Sequence, residues 1–99
     1  MRVCQGVITR HGEQDADYEE FKELPDAEEY YREKVLTKHL NHLPATYQTD
    51  EDAGKEIRIP VFLTSYRARC LRSYSFIEYE VTEEWVAKRV KIKIQLYQY

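Results

Sequence analysis

The last fourteen residues, 86–99, read VAKRVKIKIQLYQY. Val86, then Val90, Ile92, Ile94 and Leu96, expected to point inward, alternate with Arg89, Lys91, Lys93 and Gln95, expected to point outward. A period of two puts the two sets on opposite faces of an extended chain, so this segment is a half-buried strand with a branched apolar row facing a core. Such a strand needs neighbours, and the short links upstream of it favour antiparallel ones.

The neighbours are legible from the same pattern. Residues 2–9 (RVCQGVIT) alternate Val3, Gln5 and Val7 against Cys4, Gly6 and Ile8 and form a first strand. Residues 56–65 place Ile57, Ile59, Val61 and Leu63 on one face, and Pro60 between them removes an amide donor. This strand is therefore an edge or carries a bulge. Residues 70–81 (CLRSYSFIEYEV) make a third long strand, and Thr82-Glu83-Glu84-Trp85 is a turn, or a capped single helical turn, before the last one.

One helix is expected, over about 26–43. Asp26 follows Pro25 as a cap, Glu28 and Glu29 suit the positive end of the helix dipole, and Pro44 stops it. Tyr31, Val35, Leu36, Leu40 and Leu43 recur at steps of three and four along its buried stripe. Polar residues 10–17 and 44–55 are read as loops, and residues 18–24 as one or two helical turns. The fold class is therefore α+β, the helix packed on a four-stranded, mainly antiparallel sheet in the order β-α-β-β-β.

With 42% hydrophobic residues, 99 residues suffice for one core, and 1–99 is taken as a single domain. A charged fraction of 33% and a mean hydropathy of -0.74 imply a densely ionic surface. Apolar runs fall far short of the roughly 20 residues of a membrane helix, and residues 1–4 open no signal-like stretch. The expected location is the cytoplasm, away from membranes. The net charge of -3 hides an asymmetry, with ten acids against three bases in residues 13–34 and eight bases against four acids in 57–99. Either the two parts neutralise each other on folding, which is the commoner outcome, or the surface is dipolar.

Chemical motifs are weak. His39 and His42 share a helix face, but histidines near a helix C-terminus are favoured electrostatically, and the spacing alone makes no zinc site. Asp50-Glu51-Asp52 lacks the ordered ligand pattern of a calcium loop. Cys4 and Cys70 form no CxxC pair and are read as buried thiols, with a cross-strand disulfide as the alternative. No catalytic residue, metal or cofactor is assigned. The most suggestive segment is Tyr66-Arg67-Ala68-Arg69-Cys70-Leu71-Arg72-Ser73-Tyr74, placed at a strand-turn-strand junction. Arginines bind phosphates and tyrosines stack on bases, so Arg67, Arg69, Arg72, Tyr66 and Tyr74, extended by Lys91 and Lys93, are candidate nucleic-acid contacts. The isoelectric point of about 5.6 and the supply of internal carboxylates weigh against them.

Nine tyrosines, two of them closing the chain, favour an interaction surface, and the last strand could pair with a second copy. A single Asn, Asn41, and one Met, beside many Glu, Lys and Arg, match proteins that work hot. With the helix EEYYREKVLTKHL at 28–40, the Arg/Tyr segment at 66–74 and the strand VKIKIQLYQY at 90–99, the whole chain resembles, in style, small uncharacterised proteins of filamentous viruses infecting hyperthermophilic, acidophilic archaea. That resemblance implies expression in the host cytoplasm and resistance to heat and acid, and assigns no activity or site residue. The expectation is a thermostable, non-enzymatic accessory protein that binds a host or viral protein, with nucleic-acid binding through 66–74 as the alternative.

Overall fold

The computed structural model describes residues 5–12, 15–42, 47–61 and 64–99, and their side chains except those of 15, 39–42, 60, 61, 64–66 and 80. The described strands are β1 (Gln5–His11), β2 (Asp15–Phe21), β3 (Tyr47–Thr49), β4 (Glu56–Val61), β5 (Thr64–Val81) and β6 (Ala87–Gln98), with one helix, α1 (Leu24–His42). They form one sheet in the order β2-β1-β6-β5-β3, β4 also pairing with β5. Each of these pairings is antiparallel. The α+β class and the single main helix hold, but the sheet has six strands where four were expected, in the order β-β-α-β-β-β-β.

The two added strands have a common cause. Residues 15–21 were expected as loop and helical turn, yet they pair along β1 from Gln5↔Phe21 to His11↔Asp15. This is an outer strand whose Asp17, Tyr18, Glu19 and Glu20 face solvent. Charges that blunt an edge also erase the apolar alternation that identifies a strand. β3 is three exposed residues paired to Phe76, Ser75 and Tyr74, so it too carries no apolar pattern.

α1 starts at Leu24, two residues earlier than expected, because Pro25 is tolerated in a first helical turn. The helix packs on β1, β6 and β2. Its buried stripe runs through Ala27 and Tyr31 to the half-buried Val35, whereas Leu36 is 58% exposed. Leu40 and Leu43 of the expected stripe lie outside the described side chains. Below the helix, Val90, Ile92, Ile94 and Leu96 join Val7, Tyr74 and Phe76 in the main core, whereas Val86 of the expected inward row is 57% exposed beyond the helix and Gln95 of the outward row is buried on the other face.

β5 is the longest element. Eighteen residues at about 3.3 Å each would span roughly 60 Å if straight, more than the 50 Å long axis of the molecule. The strand is bent, and its register against β6 shifts between Cys70 and Arg72, leaving Leu71 as an extra residue. A bulge of this kind bends its strand and raises the twist. The bend carries β4 over the sheet face that the helix leaves open. There Ile59 and Ala68 meet Ile8 and Tyr97 in a second small core, and an Arg10 Nη donates to the Arg58 carbonyl. β4 pairs only with β5 among the described residues, which is the edge position Pro60 demands.

Tyr97 closes this second core over Gly6, its cross-strand partner. A Cβ on Gly6 would strike the Tyr97 ring and hydroxyl and the Glu19 carbonyl. Gly54, at φ +84, has open space around its Cα. Gly6→Ala is expected to cost about 1–3 kcal/mol by overpacking, and Gly54→Ala about 1 kcal/mol from backbone conformation alone. Urea denaturation of the two variants checks this; a Gly6→Ala variant as stable as the parent would contradict the packing described.

Candidate functional site

The connection between β3 and β4, residues 50–55, opens with the acid triplet Asp50-Glu51-Asp52. Both strands pair with β5 in succession, so the intervening residues must leave the ladder, and they fold over the open face of the sheet. Asp50 turns the chain at φ 56, a conformation that Asp tolerates. Its carboxylate accepts from Arg72 Nε at 2.8 Å and from the Ser73 amide at 3.2 Å. Glu51 accepts from the Ser75 hydroxyl at 2.7 Å and pairs with Lys91 Nζ at 3.1 Å. Asp52 accepts from Lys93 Nζ and from the Gln95 side-chain amide, both at 2.9 Å. The Asp52 amide donates to Ser73 Oγ at 3.1 Å.

These contacts lower all three carboxyl pKa values. For Asp50 the hydrogen bond from Arg72 leads, and for Glu51 the one from Ser75. Burial alone would raise Asp52, but Lys93, Gln95 and Lys55 outweigh it and the net shift is downward. The same burial pushes the neighbouring free thiol of Cys70 up to about 11, which leaves it a buried, protonated group at neutral pH. Cys4 lies outside the described residues. Ionised and paired, the triplet serves as a counter-charge and holds no proton to donate at neutral pH.

The candidate nucleic-acid residues are dispersed by this arrangement. The Tyr66–Tyr74 segment is not a strand-turn-strand junction but lies within the single strand β5, the chain turning earlier, between Val61 and Thr64. Arg72 is held by Asp50 below the Tyr31 ring. Tyr74 is 3% exposed in the core, its ring tilted against those of Tyr47 and Phe76. Lys91 and Lys93 are paired with Glu51 and Asp52 on the open face, whereas Arg67, Arg69 and Arg72 fall on the helix-bearing side of β5, in phase with Gln98 and Leu96. Arg67 and Arg69 remain exposed; the side chain of Tyr66 lies outside the described residues. So do those of His39 and His42, and among the described residues no group of three or more His, Cys, Asp or Glu is arranged to hold a metal.

A different surface stands out at the far end of β5. From Glu78↔Val90 to Val81↔Ala87 the β5–β6 hairpin runs past β1, whose last partner on β6 is Ile92, and past β3, whose last partner on β5 is Phe76. Thr82 closes the tip: its amide donates to the Val86 carbonyl and its carbonyl accepts from the Trp85 amide. Tyr79, Val81 and Val86 are 67%, 68% and 57% exposed, and Trp85 is 88% exposed at φ 60. A three-residue hairpin loop calls for a left-handed residue at this point, usually Gly. A bulky side chain there costs about 1–2 kcal/mol, and Trp85 recovers none of it by packing. Residues 82–85 form the turn and not the alternative of a capped helical turn; the signal for an exposed anchor was the chain's one Trp inside that turn.

No described helix is long and apolar enough to cross a membrane. No protein-family model, curated protein or solved structure matches the chain.

Each triplet carboxyl holds its proton less tightly folded than unfolded. Its stabilising effect is therefore complete above the ordinary carboxylate range and is lost as pH falls below about 4. The urea midpoint should be flat from neutral pH to about pH 5 and then drop, and a Glu51→Gln/Asp52→Asn variant should start lower and drop less. An equal acid drop in parent and variant would sink this assignment.

Proposed function

We propose that the chain is a non-enzymatic binding protein that docks on a protein partner through the tip of the β5–β6 hairpin. Trp85 carries the reading. A large aromatic side chain, held clear of the body in a backbone conformation that disfavours it, keeps its place through something outside the folded chain. Trp and Tyr are the side chains that dominate binding energy at protein interfaces. Tyr79, Val81 and Val86 add exposed apolar area to the same end of the hairpin at low entropic cost, since β-branched and aromatic side chains have few rotamers to lose. The outer edge of β6 over residues 87–90 has no strand partner among the described residues, so a partner could add main-chain hydrogen bonds beside the aromatic anchor. The charged groups of the open sheet face are engaged with one another, which leaves the periphery to make contacts.

The chain has one Trp, so its fluorescence reports this tip alone. In the isolated protein the emission should be red-shifted and freely quenched by acrylamide. A Trp85→Gly variant should fold with at least the parent's stability, because Gly adopts the left-handed conformation without steric cost, yet lose the partner. The test is to find a protein that the parent retains and the variant does not, and then to titrate it against the parent while following emission. A blue shift that saturates supports docking, and one that grows with the protein's own concentration identifies a second copy as the partner. Blue-shifted, quencher-resistant emission from the dilute monomer, or equal retention by Trp85→Gly, would overturn the proposal.

A further inference from the structure

We propose that Arg58, Arg67 and Arg69 form a phosphate-binding strip on the β4–β5 hairpin that takes the backbone of a nucleic acid. The inference is independent of the hairpin tip, from which it is separated by about 40 Å of β5, twelve residues at about 3.3 Å each.

The argument begins with cross-strand register. Ile57 and Ile59 on β4, and Ala68 on β5, point into the second core, so Arg58, Arg67 and Arg69 alternate onto the other side, where all three are exposed. Arg58 lies directly opposite Arg67, and Arg69 lies opposite Glu56. Directly opposed side chains have Cβ atoms about 5 Å apart, and residues two apart on one strand are about 7 Å apart. Three guanidinium groups are thus gathered in a short strip, with Glu56 as their neighbour. Glu56 reaches Arg67 at 3.7 Å, with both side chains more than 60% exposed.

Like charges directly opposite one another destabilise a sheet. The chain contains a second such pair, Arg10 opposite Lys93, and there the cost is removed internally. Asp52 sits 2.9 Å from Lys93, its charge acts on Arg10, and Gln95 bridges Arg10 to Asp52. The pair Arg58–Arg67 has no such inlay. Among the described residues no carboxylate lies within ion-pair distance of Arg58 or Arg69, and one exposed glutamate serves the group. Its missing counter-charge fits an external anion.

The chemistry favours phosphates in a row. All three cations are arginines, whose planar fork of donors matches phosphate oxygens two at a time. A nucleic acid presents phosphates in a row along its backbone, so one strand can meet all three forks together. The segment at 66–74 thus contributes Arg67 and Arg69, and Arg58 replaces Arg72, Lys91 and Lys93, whose charges are already met.

The test is fluorescence anisotropy of labelled single- and double-stranded oligonucleotides with the full chain, from about 50 mM salt upward. Binding should weaken linearly on a log–log scale. In the variant Arg58→Gln/Arg67→Gln/Arg69→Gln, affinity should fall at least roughly tenfold and the slope by about 2 on single strands and about 3 on duplex, as for three lost phosphate contacts. A control variant, Lys22→Gln/Arg32→Gln/Lys88→Gln, removes equal charge elsewhere and should retain the slope. Circular dichroism and melting checks that both variants fold. No binding at about 50 mM salt, equal losses in the two variants, or binding to anionic lipid vesicles but not to oligonucleotides overturns the proposal.

Discussion

The structure depends on a mismatch of length along β5. A strand of eighteen residues cannot be matched on one edge by a neighbour of ordinary length, so two short strands, β3 and β4, follow each other along it. The link between them has to step out of the ladder, and it steps onto the sheet face that the single helix cannot cover. Because that link opens with Asp50-Glu51-Asp52, it brings anions to a face on which β6 already presents Lys91 and Lys93. The bulge at Leu71 bends β5 beside the same link, and the bend lets β4 close the second core against Ile8 and Tyr97. One helix on one side and an acidic inlay with a folded-over strand on the other are alternative means of burying the two faces of one sheet.

This arrangement divides the chain's charges into those satisfied within the fold and those left at its ends. The acid triplet neutralises a lysine pair and Arg72, with its carboxyl pKa values drawn down as the electrostatic signature. What lies beyond the reach of the triplet is the apolar hairpin tip at one end of β5 and the arginine strip near the other. Both features sit where the local physics is unfavourable in isolation, a left-handed Trp in one case and opposed like charges in the other. Strained positions of that kind cluster at functional sites in proteins generally.

The sequence disclosed the elements whose burial is one-sided and strong. β6 was legible because four branched or long apolar side chains alternate with cations, and β4 because Pro60 marks an edge. The helix was legible from its acidic start and the apolar spacing, although Asp26 lies within the first turn rather than capping it, and Leu36 proved exposed because the helix axis turns its face toward Ala27 and Tyr31. β2 and β3 were not legible, since an outer strand dressed in carboxylates and a three-residue exposed strand have no apolar period to read. The site was harder still. Asp50, Glu51 and Asp52 find their partners about 20 to 40 residues away, and the opposition of Arg58 to Arg67 depends on where the chain turns between β4 and β5. Placing that turn within 66–74 grouped Arg67 and Arg69 with Arg72 and hid Arg58.

The distinction between internally met and unmet charge is most directly tested by two double-mutant cycles on folding stability. One pairs Asp52→Asn with Lys93→Met, and the other pairs Glu56→Gln with Arg67→Met. The account requires a coupling of about 1 kcal/mol or more for the partly buried Asp52–Lys93 pair, and under about 0.5 kcal/mol for the exposed Glu56–Arg67 pair. Absent coupling in the first cycle, or equal coupling in both, would contradict it.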